Sequence, residues 1–449
     1  MKICSGKDIK IITAFMTSAM LLGGCNVNKD PVTGTSLRND PEIKTEINLK
    51  DVQNTTYDAA EMDSLYREYC FNIFSQTVRD HGGNDNIMIS PASIMMALDM
   101  VAAGAKGDSL AQLTNLFAAG QGPLTQQAYA AALMDKINGA KDVDFACANA
   151  VWNNGKLLGD KVNMDYVDYI KDTFLAEYTV TEFDGNTPDE INAWVFEHTD
   201  HMIDKVIDEL DPLTVMVLVN AISFDAKWEE PYEEDKVNEG VFTNHDGTTS
   251  QAMFLSDKTN AYYETDKAIG FIKYYKGGEY AFLAILPTDG SISANDFAAN
   301  FTAEDYEAFI NSVTYEYDVY SKMPEFESDY SFLVNDTLKN LGVTDVFSDR
   351  TADLSGIAGK PGDIYVSKVI HKTHIEVDSN GTRAAAVTAV DLRTKGAEVT
   401  MDDLKPLTAT DRSFTQSLTS KQWLRYSSEQ LTRFDEIVVV RGPKRPKRL

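Results

Sequence analysis

Asn380-Gly381-Thr382-Arg383-Ala384-Ala385-Ala386-Val387-Thr388-Ala389-Val390 is the stretch from which the rest of the chain is read. Gly381 is free to take positive φ, and the nine positions after it hold no proline, glycine or aromatic ring. Most of these side chains are small, and Val387 and Val390 are β-branched. Such a segment can slide between two strands with little steric resistance, and it can equally persist as an exposed loop. The alternating segment before it, Thr373–Val377, reads as a strand. A mobile segment with the chemistry of a central strand implies a chain able to change its own topology.

The 449 residues are 43% hydrophobic and 10% aromatic, enough for one large core or two moderate ones. A net charge of −28 argues against a nucleic-acid groove and against polyanion binding, and makes basic proteins the natural partners. The first 25 residues read as a leader rather than fold. Lys2, Lys7 and Lys10 form a positive start, and Ile11–Leu22 is an apolar run too short to span a membrane comfortably. The run ends in Leu22-Gly23-Gly24-Cys25, which resembles a bacterial lipobox, so Cys25 is the expected lipidation site and lipid the expected anchor. A flexible tether is expected over 26–63. Cys70 and Cys147 sit among apolar residues and read as two small buried hydrophobes.

Along the chain, helical periodicity is expected over Ser64–Asp80, Pro91–Ala103, Met164–Phe174 and Ile191–Ile207. Asn86–Ser90, Phe145–Trp152, Thr214–Phe224 and Ile364–Glu376 read as strands, and Gly240–Gly290 as a succession of strands and turns. The pattern is α+β, helices first and mixed strands after. Asn220 inside an apolar run must be hydrogen-bonded, and so marks a polar node.

Enzyme chemistry is not in view. His198 and His201 lie three apart on one predicted helix, but no further ligand completes a metal site. His371 and His374 fall on opposite faces of a strand and cannot share an ion. No phosphate-binding loop, nucleophile elbow or dinucleotide fingerprint is present. Neither cofactor nor metal is expected.

Several motifs agree in order and spacing with the serpin family, over about Leu65 to Val390. Asn86-Ile87-Met88-Ile89-Ser90-Pro91-Ala92-Ser93-Ile94 and Gly104-Ala105-Lys106-Gly107-Asp108 resemble the entry and exit of its second helix. Ile191-Asn192-Ala193-Trp194-Val195 with Thr199, and Leu218-Val219-Asn220-Ala221-Ile222-Ser223-Phe224 with Lys227-Trp228, resemble a later helix and a central strand. Met323-Pro324, Leu341-Gly342, Asp345-Val346-Phe347, His371-Lys372 and Gly381-Thr382-Arg383-Ala384-Ala385-Ala386 complete the series.

The resemblance implies three sheets, eight or nine helices and an exposed reactive loop over about 378–403, in a domain spanning 64–407. It implies that a protease attacks the loop, forms an acyl-enzyme and is trapped as the loop enters the large sheet. The hinge would be Ser379 and Gly381 through Thr388, including Val387. Ser90, Ser93, Asn220 and His371 would form a polar shutter beneath the gap, with Trp228 near its top. Counting from Gly381 as the family does, the scissile bond follows Lys395 and precedes Gly396, with Arg393 a neighbouring candidate. A basic residue there suits a trypsin-like protease; a papain-like cysteine protease is the second target class. The product is expected to be a monomer tethered to the bacterial outer membrane or cell surface.

Three departures stand out. Ser379 and Glu325 occupy the places of a hinge glutamate and its lysine partner. Arg383 occupies a hinge position that is usually acidic. Thr408–Leu449 lacks the family's closing pair of apolar strands, and is instead Ser/Thr/Gln-rich and then basic. Reading the last base of each codon with the first two of the next permits Asp-Arg-Pro-Phe-Val-Tyr-Ala-Ile-Ile-Asp, then Glu-Thr-Met-Ala-Pro-Val-Phe-Ile-Gly-Thr-Val, over Ala409–Leu431. A shifted frame beginning within Val390–Thr408 is therefore expected. A non-inhibitory binding protein of the same fold, or an inactive frameshifted product, are the alternative readings.

Overall fold

The computed structural model describes residues 9–13, 20–22, 46–83, 86–243, 248–259, 261–315, 318–395 and 438–440. Chain order begins with strands β1 (Ile9–Thr13) and β2 (Met20–Leu22), followed by a 3-10 turn at Leu49–Asn54. Helices α1 (Ala59–His81), α2 (Pro91–Ala102), α3 (Gly107–Ala118) and α4 (Pro123–Asn138) come next. Then follow β3 (Asp144–Asn154), α5 (Met164–Thr173), β4 (Glu177–Thr181), α6 (Thr187–His198) and β5 (Thr214–Lys227). Strands β6 (Val237–Thr243), β7 (Thr249–Thr259), β8 (Tyr262–Glu264), β9 (Ala268–Tyr274) and β10 (Tyr280–Pro287) precede α7 (Ala294–Asn300) and α8 (Ala303–Asn311). The last elements are β11 (Asp318–Pro324), β12 (Phe326–Leu333), α9 (Asn335–Asn340), β13 (Ile364–Val377), β14 (Gly381–Thr394) and β15 (Val438–Val440).

The fold is α+β with three sheets. The largest has the order β12-β13-β14-β5-β3-β4; the others run β2-β1-β10-β9-β8 and β15-β11-β7-β6. Every pairing in the large sheet is antiparallel except β3 with β4. Helix α2 lies behind its centre, packed on β5 and β14. Every residue of α2 is buried, as an all-round apolar helix must be. Pro91 opens its first turn, and the Ser90 hydroxyl accepts the Ser93 N–H. On the opposite face of the sheet, Ile191 and Val195 of α6 with Ile203, Val206 and Ile207 form a second apolar layer.

Several expectations are corrected. Residues 46–63 do not hang as a tether: Ile47 and Val52 are buried, and α1 begins at Ala59 with Asp58 capping it. The apolar spacing of Ile47 and Val52 escaped a reading dominated by polar residues. Asn86–Ser90 is not a ladder strand, because side chains use its backbone: the Met88 carbonyl accepts from Thr373 Oγ1 at 3.2 Å. Helix α6 stops at His198 rather than Ile207. The Thr199 hydroxyl accepts from the Ile203 N–H, and Asn192 Oδ1 accepts from the N–H groups of Val206 and Ile207. These local bonds compete with helix. The segment expected to be an exposed reactive loop is a strand of the large sheet from Gly381 as far as Thr394. Cys25, Gly396 and the 408–449 frame argument lie outside the described residues, apart from Val438–Val440.

Candidate functional site: a loop segment at the centre of the large sheet

Strand β14 pairs with β5 from Gly381 beside Lys227 to Arg393 beside Thr214. Its other edge pairs with β13 from Thr382 beside Val377 to Thr394 beside Ile364. At 3.3–3.4 Å per residue the strand runs roughly 45 Å. Ala384, Ala386, Val390 and Leu392 enter the main core, whereas Ala385, Val387 and Ala389 lie under the α6 layer. All seven are at most 2% exposed, so both faces are covered. Only small or slim side chains fit such a slot without moving α2 or α6. Gly381 does not take positive φ, contrary to its sequence reading. It is glycine because a Cβ there would collide with the Ala226 carbonyl oxygen and approach Lys227 Cα to 2.9 Å.

A polar row crosses the middle of the sheet: His371 of β13 stands beside Thr388 of β14, Thr388 beside Asn220 of β5, and Asn220 beside Asn149 of β3. The Ser90 backbone N–H donates to His371 Nε2 at 3.0 Å. That fixed donor leaves the ring proton on Nδ1, which lies 2.8 Å from Thr388 Oγ1. The Thr388 hydroxyl in turn meets Ser93 Oγ at 3.0 Å. Burial holds the His371 imidazole neutral, its pKa lowered to about 3. Asn220 donates to Asn149 Oδ1 and to Cys147 Sγ. Ser90, Ser93 and His371 thus converge on Thr388, while Asn220 bonds sideways to β3. The part of Thr388 is legible in hindsight as the one hydroxyl on the core face between Ala384 and Leu392.

At the upper end, Trp228 is sealed by aromatic rings. It stacks on Tyr275 with centroids 4.6 Å apart, and its Nε1–H donates to the Asp378 carbonyl at 2.9 Å. Tyr275 then donates its hydroxyl proton to Thr382 Oγ1 at 2.7 Å. Lys273 lies over the Tyr232 ring at 4.0 Å and pairs with Asp257 at 2.7 Å. Neither Tyr275 nor Lys273 was picked out from sequence; only their approach to Trp228 in space marks them. Burial, with the nearby Asp378 and Glu376 charges, pushes the Glu325 pKa up, although its carboxylate accepts the Ser379 backbone N–H. Glu325 and Ser379 therefore meet through backbone, without an ion pair.

Arg383 points to solvent on the α6 side and bonds Asp225 Oδ2 at 3.2 Å and Asp200 Oδ2 at 2.7 Å. At the lower end, Arg393 pairs with Asp211 at 3.0 Å and with Asp391 at 3.3 Å. Lys395 follows β14 directly, and its N–H donates to the Asp363 carbonyl at 3.3 Å. The two basic candidates for the reactive bond thus sit at the pole opposite Trp228.

Other chemistry is sparse. His198 faces Glu177 and His201 faces Glu197, and no group of three ligating side chains able to hold a metal occurs among the described residues. Cys70 and Cys147 are buried thiols outside any disulfide, with burial pushing Cys147 up to about 12.

A six-stranded mixed sheet whose central strand is a small-residue segment, fitted over a row of buried polar side chains, within an α+β fold of three sheets, defines the class of architecture. The model of the serpin (serine protease inhibitor) family matches residues 64–421, and the chain belongs to that family. It is 34% identical over 328 residues to Iripin-5 of Ixodes ricinus, covering 70% of this chain and 81% of that protein. It is 30% identical to leukocyte elastase inhibitor A of Mus musculus, covering 73% and 88%. Among solved structures it matches the thermophilic serpin tengpin at 32% identity in two states. The latent state gives a TM-score of 0.69, covering 75% of this chain and 90% of that one. The native state gives 0.66, covering 79% and 86%.

Proposed function

We propose that the protein inhibits serine endopeptidases by loop cleavage and insertion, trapping the protease as an acyl-enzyme. One observation carries the reading: from Gly381 to Thr394 the segment fits the sheet centre on both faces and both edges. Insertion would carry an acylated residue at Lys395 from the top of the sheet to its far pole. That displacement is comparable to the diameter of a small protein domain, enough to drag a bound protease along the molecule. The resemblance to leukocyte elastase inhibitor A supports a protease as partner. Lys395 at the counted position favours a trypsin-like one, with papain-like cysteine proteases as the second class. No part of this scheme asks the chain to act as an enzyme or to hold a cofactor.

Mixing the protein with trypsin should yield a covalent band that survives SDS, and mass analysis of the released peptide should begin at Gly396. Replacing Lys395 by Glu should abolish trypsin inhibition. Clean cleavage with no complex would instead favour the non-inhibitory binding reading. We further propose that Cys25 carries lipid and tethers the domain at the cell envelope, because Leu22-Gly23-Gly24-Cys25 has the spacing of a lipidation signal. Fatty-acid labelling that persists in Cys25→Ser would overturn the anchor.

A further inference from the structure

Arg383 is set in a row of carboxylates that crosses most of the large sheet. In register, Glu327 of β12 stands beside Glu376 of β13, and Glu376 beside Arg383. Arg383 stands beside Asp225 of β5, and Asp225 beside Asp144 of β3. From above, Asp200 in the turn after α6 brings its carboxylate to the same guanidinium. Asp200 and His201 both adopt left-handed backbone, with φ of 48° and 62°. Residues with a Cβ hold that conformation only where their surroundings compensate it. Here the turn aims Asp200 at β14, and Lys372 of β13 ties the next turn down through the Lys205 carbonyl at 3.0 Å.

With β14 withdrawn, Glu376 and Asp225 stand on the two strands bounding the gap with no cation between them. Like charges facing each other across strands oppose pairing. We propose that Arg383 is a positioning residue for strand insertion: the acidic row resists closure of the empty gap, draws the arginine in, and is locked once Asp200 and Asp225 clasp it. The proposal rests on the loop-insertion reading above. It predicts that insertion responds to the sign of charge at this position and to salt, because the groups are exposed or half-exposed and ions screen them.

The test uses the full chain cut by a lysine-specific endoproteinase, with mass analysis confirming cleavage after Lys395. That protease is indifferent to substitutions at position 383. The rate of insertion is followed by Trp228 fluorescence, and its completion by the rise in thermal midpoint after cleavage. Arg383→Glu should insert about fivefold more slowly at low salt, with the deficit closing near 1 M salt, where the Debye length is about 3 Å. Combining Arg383→Glu with Asp225→Arg, which leaves the Asp200 turn untouched, should restore the rate to within about twofold. Asp200→Asn tolerates the left-handed turn and should slow insertion about twofold through loss of charge alone. Arg383→Glu inserting at the wild-type rate, or a deficit indifferent to both salt and charge exchange, overturns the lock alone. A wild-type chain whose 378–395 segment is open to proteolysis before the cut and that gains no midpoint after it overturns the insertion reading, and the lock with it.

Discussion

At the residue scale, His371 makes the sheet centre sensitive to acid. Its ring is fully buried, bonded at Nε2 by a backbone donor and at Nδ1 by Thr388. The unfolded chain takes up a proton on this histidine near pH 6.5, the folded chain only near about 3. Between those values the unfolded state binds more protons, so stability rises with pH. The contribution is complete above 6.5 and is lost as the pH falls toward about 3, at about 1.4 kcal/mol per pH unit. Other groups titrate in the same range, so the difference from His371→Gln isolates the effect. Urea unfolding of both proteins at several pH values between 6.5 and about 4 should show the wild type losing about 1.4 kcal/mol per unit relative to the variant. Parallel pH profiles would mean that the ring is not held neutral by its site.

At the scale of elements, what was legible followed from pattern, and what was not followed from side chains acting on backbone or from register. Thr214–Phe224 and Ile364–Glu376 announce β5 and β13 because one is a continuous apolar run and the other alternates. Helix α4 gave a blurred signal because Gln126 and Gln127 are buried beside Ala130 and Leu133, hydrogen-bonded to Asp99 of α2. The end of α6 was hidden because Asn192 and Thr199 bond the following backbone instead of continuing the helix. The small-residue composition of Gly381–Val390 indicated an insertable strand, and the family resemblance its neighbours, Thr214–Phe224 and Ile364–Val377, which are the strands β5 and β13 that flank it. Only register places Thr388 against His371 and Arg383 between Glu376 and Asp225. The same parity that buries Ala385 and Val387 under α6 puts Arg383 on that face too, at the end where the layer gives way to Asp200. An arginine that looked out of place in a hinge is thus accommodated by an element far away in sequence.

At the scale of the whole molecule, the second sheet raises the question of what completes it. The outer edge of β10 is paired by β1, with Lys10 beside Tyr280 and Thr13 beside Leu283. Both β1 and β2 fall within the segment read as a leader, so cleavage before Cys25 would strip this edge in the mature chain. Tyr280, Ala281, Phe282 and Leu283 are among the most deeply buried residues of the core, and an open edge beside them invites water or another chain. If Ala409–Leu431 is read in the shifted frame, it would supply two apolar strands, and we propose that they would pair with that edge. Each large apolar side chain they buried would contribute roughly 1.5–3 kcal/mol, against a total stability of about 5–15 kcal/mol for a folded domain. A chain beginning at Asn26 with the tail as it stands is therefore expected to melt at a markedly lower temperature than the same chain with the tail re-framed, or to collect in the insoluble fraction. Thermal midpoints and soluble yields of the two, alongside a third chain ending at Thr408, decide the matter. Equal midpoints for all three would mean that nothing after Thr408 covers β10, and that the mature protein closes this sheet by another route.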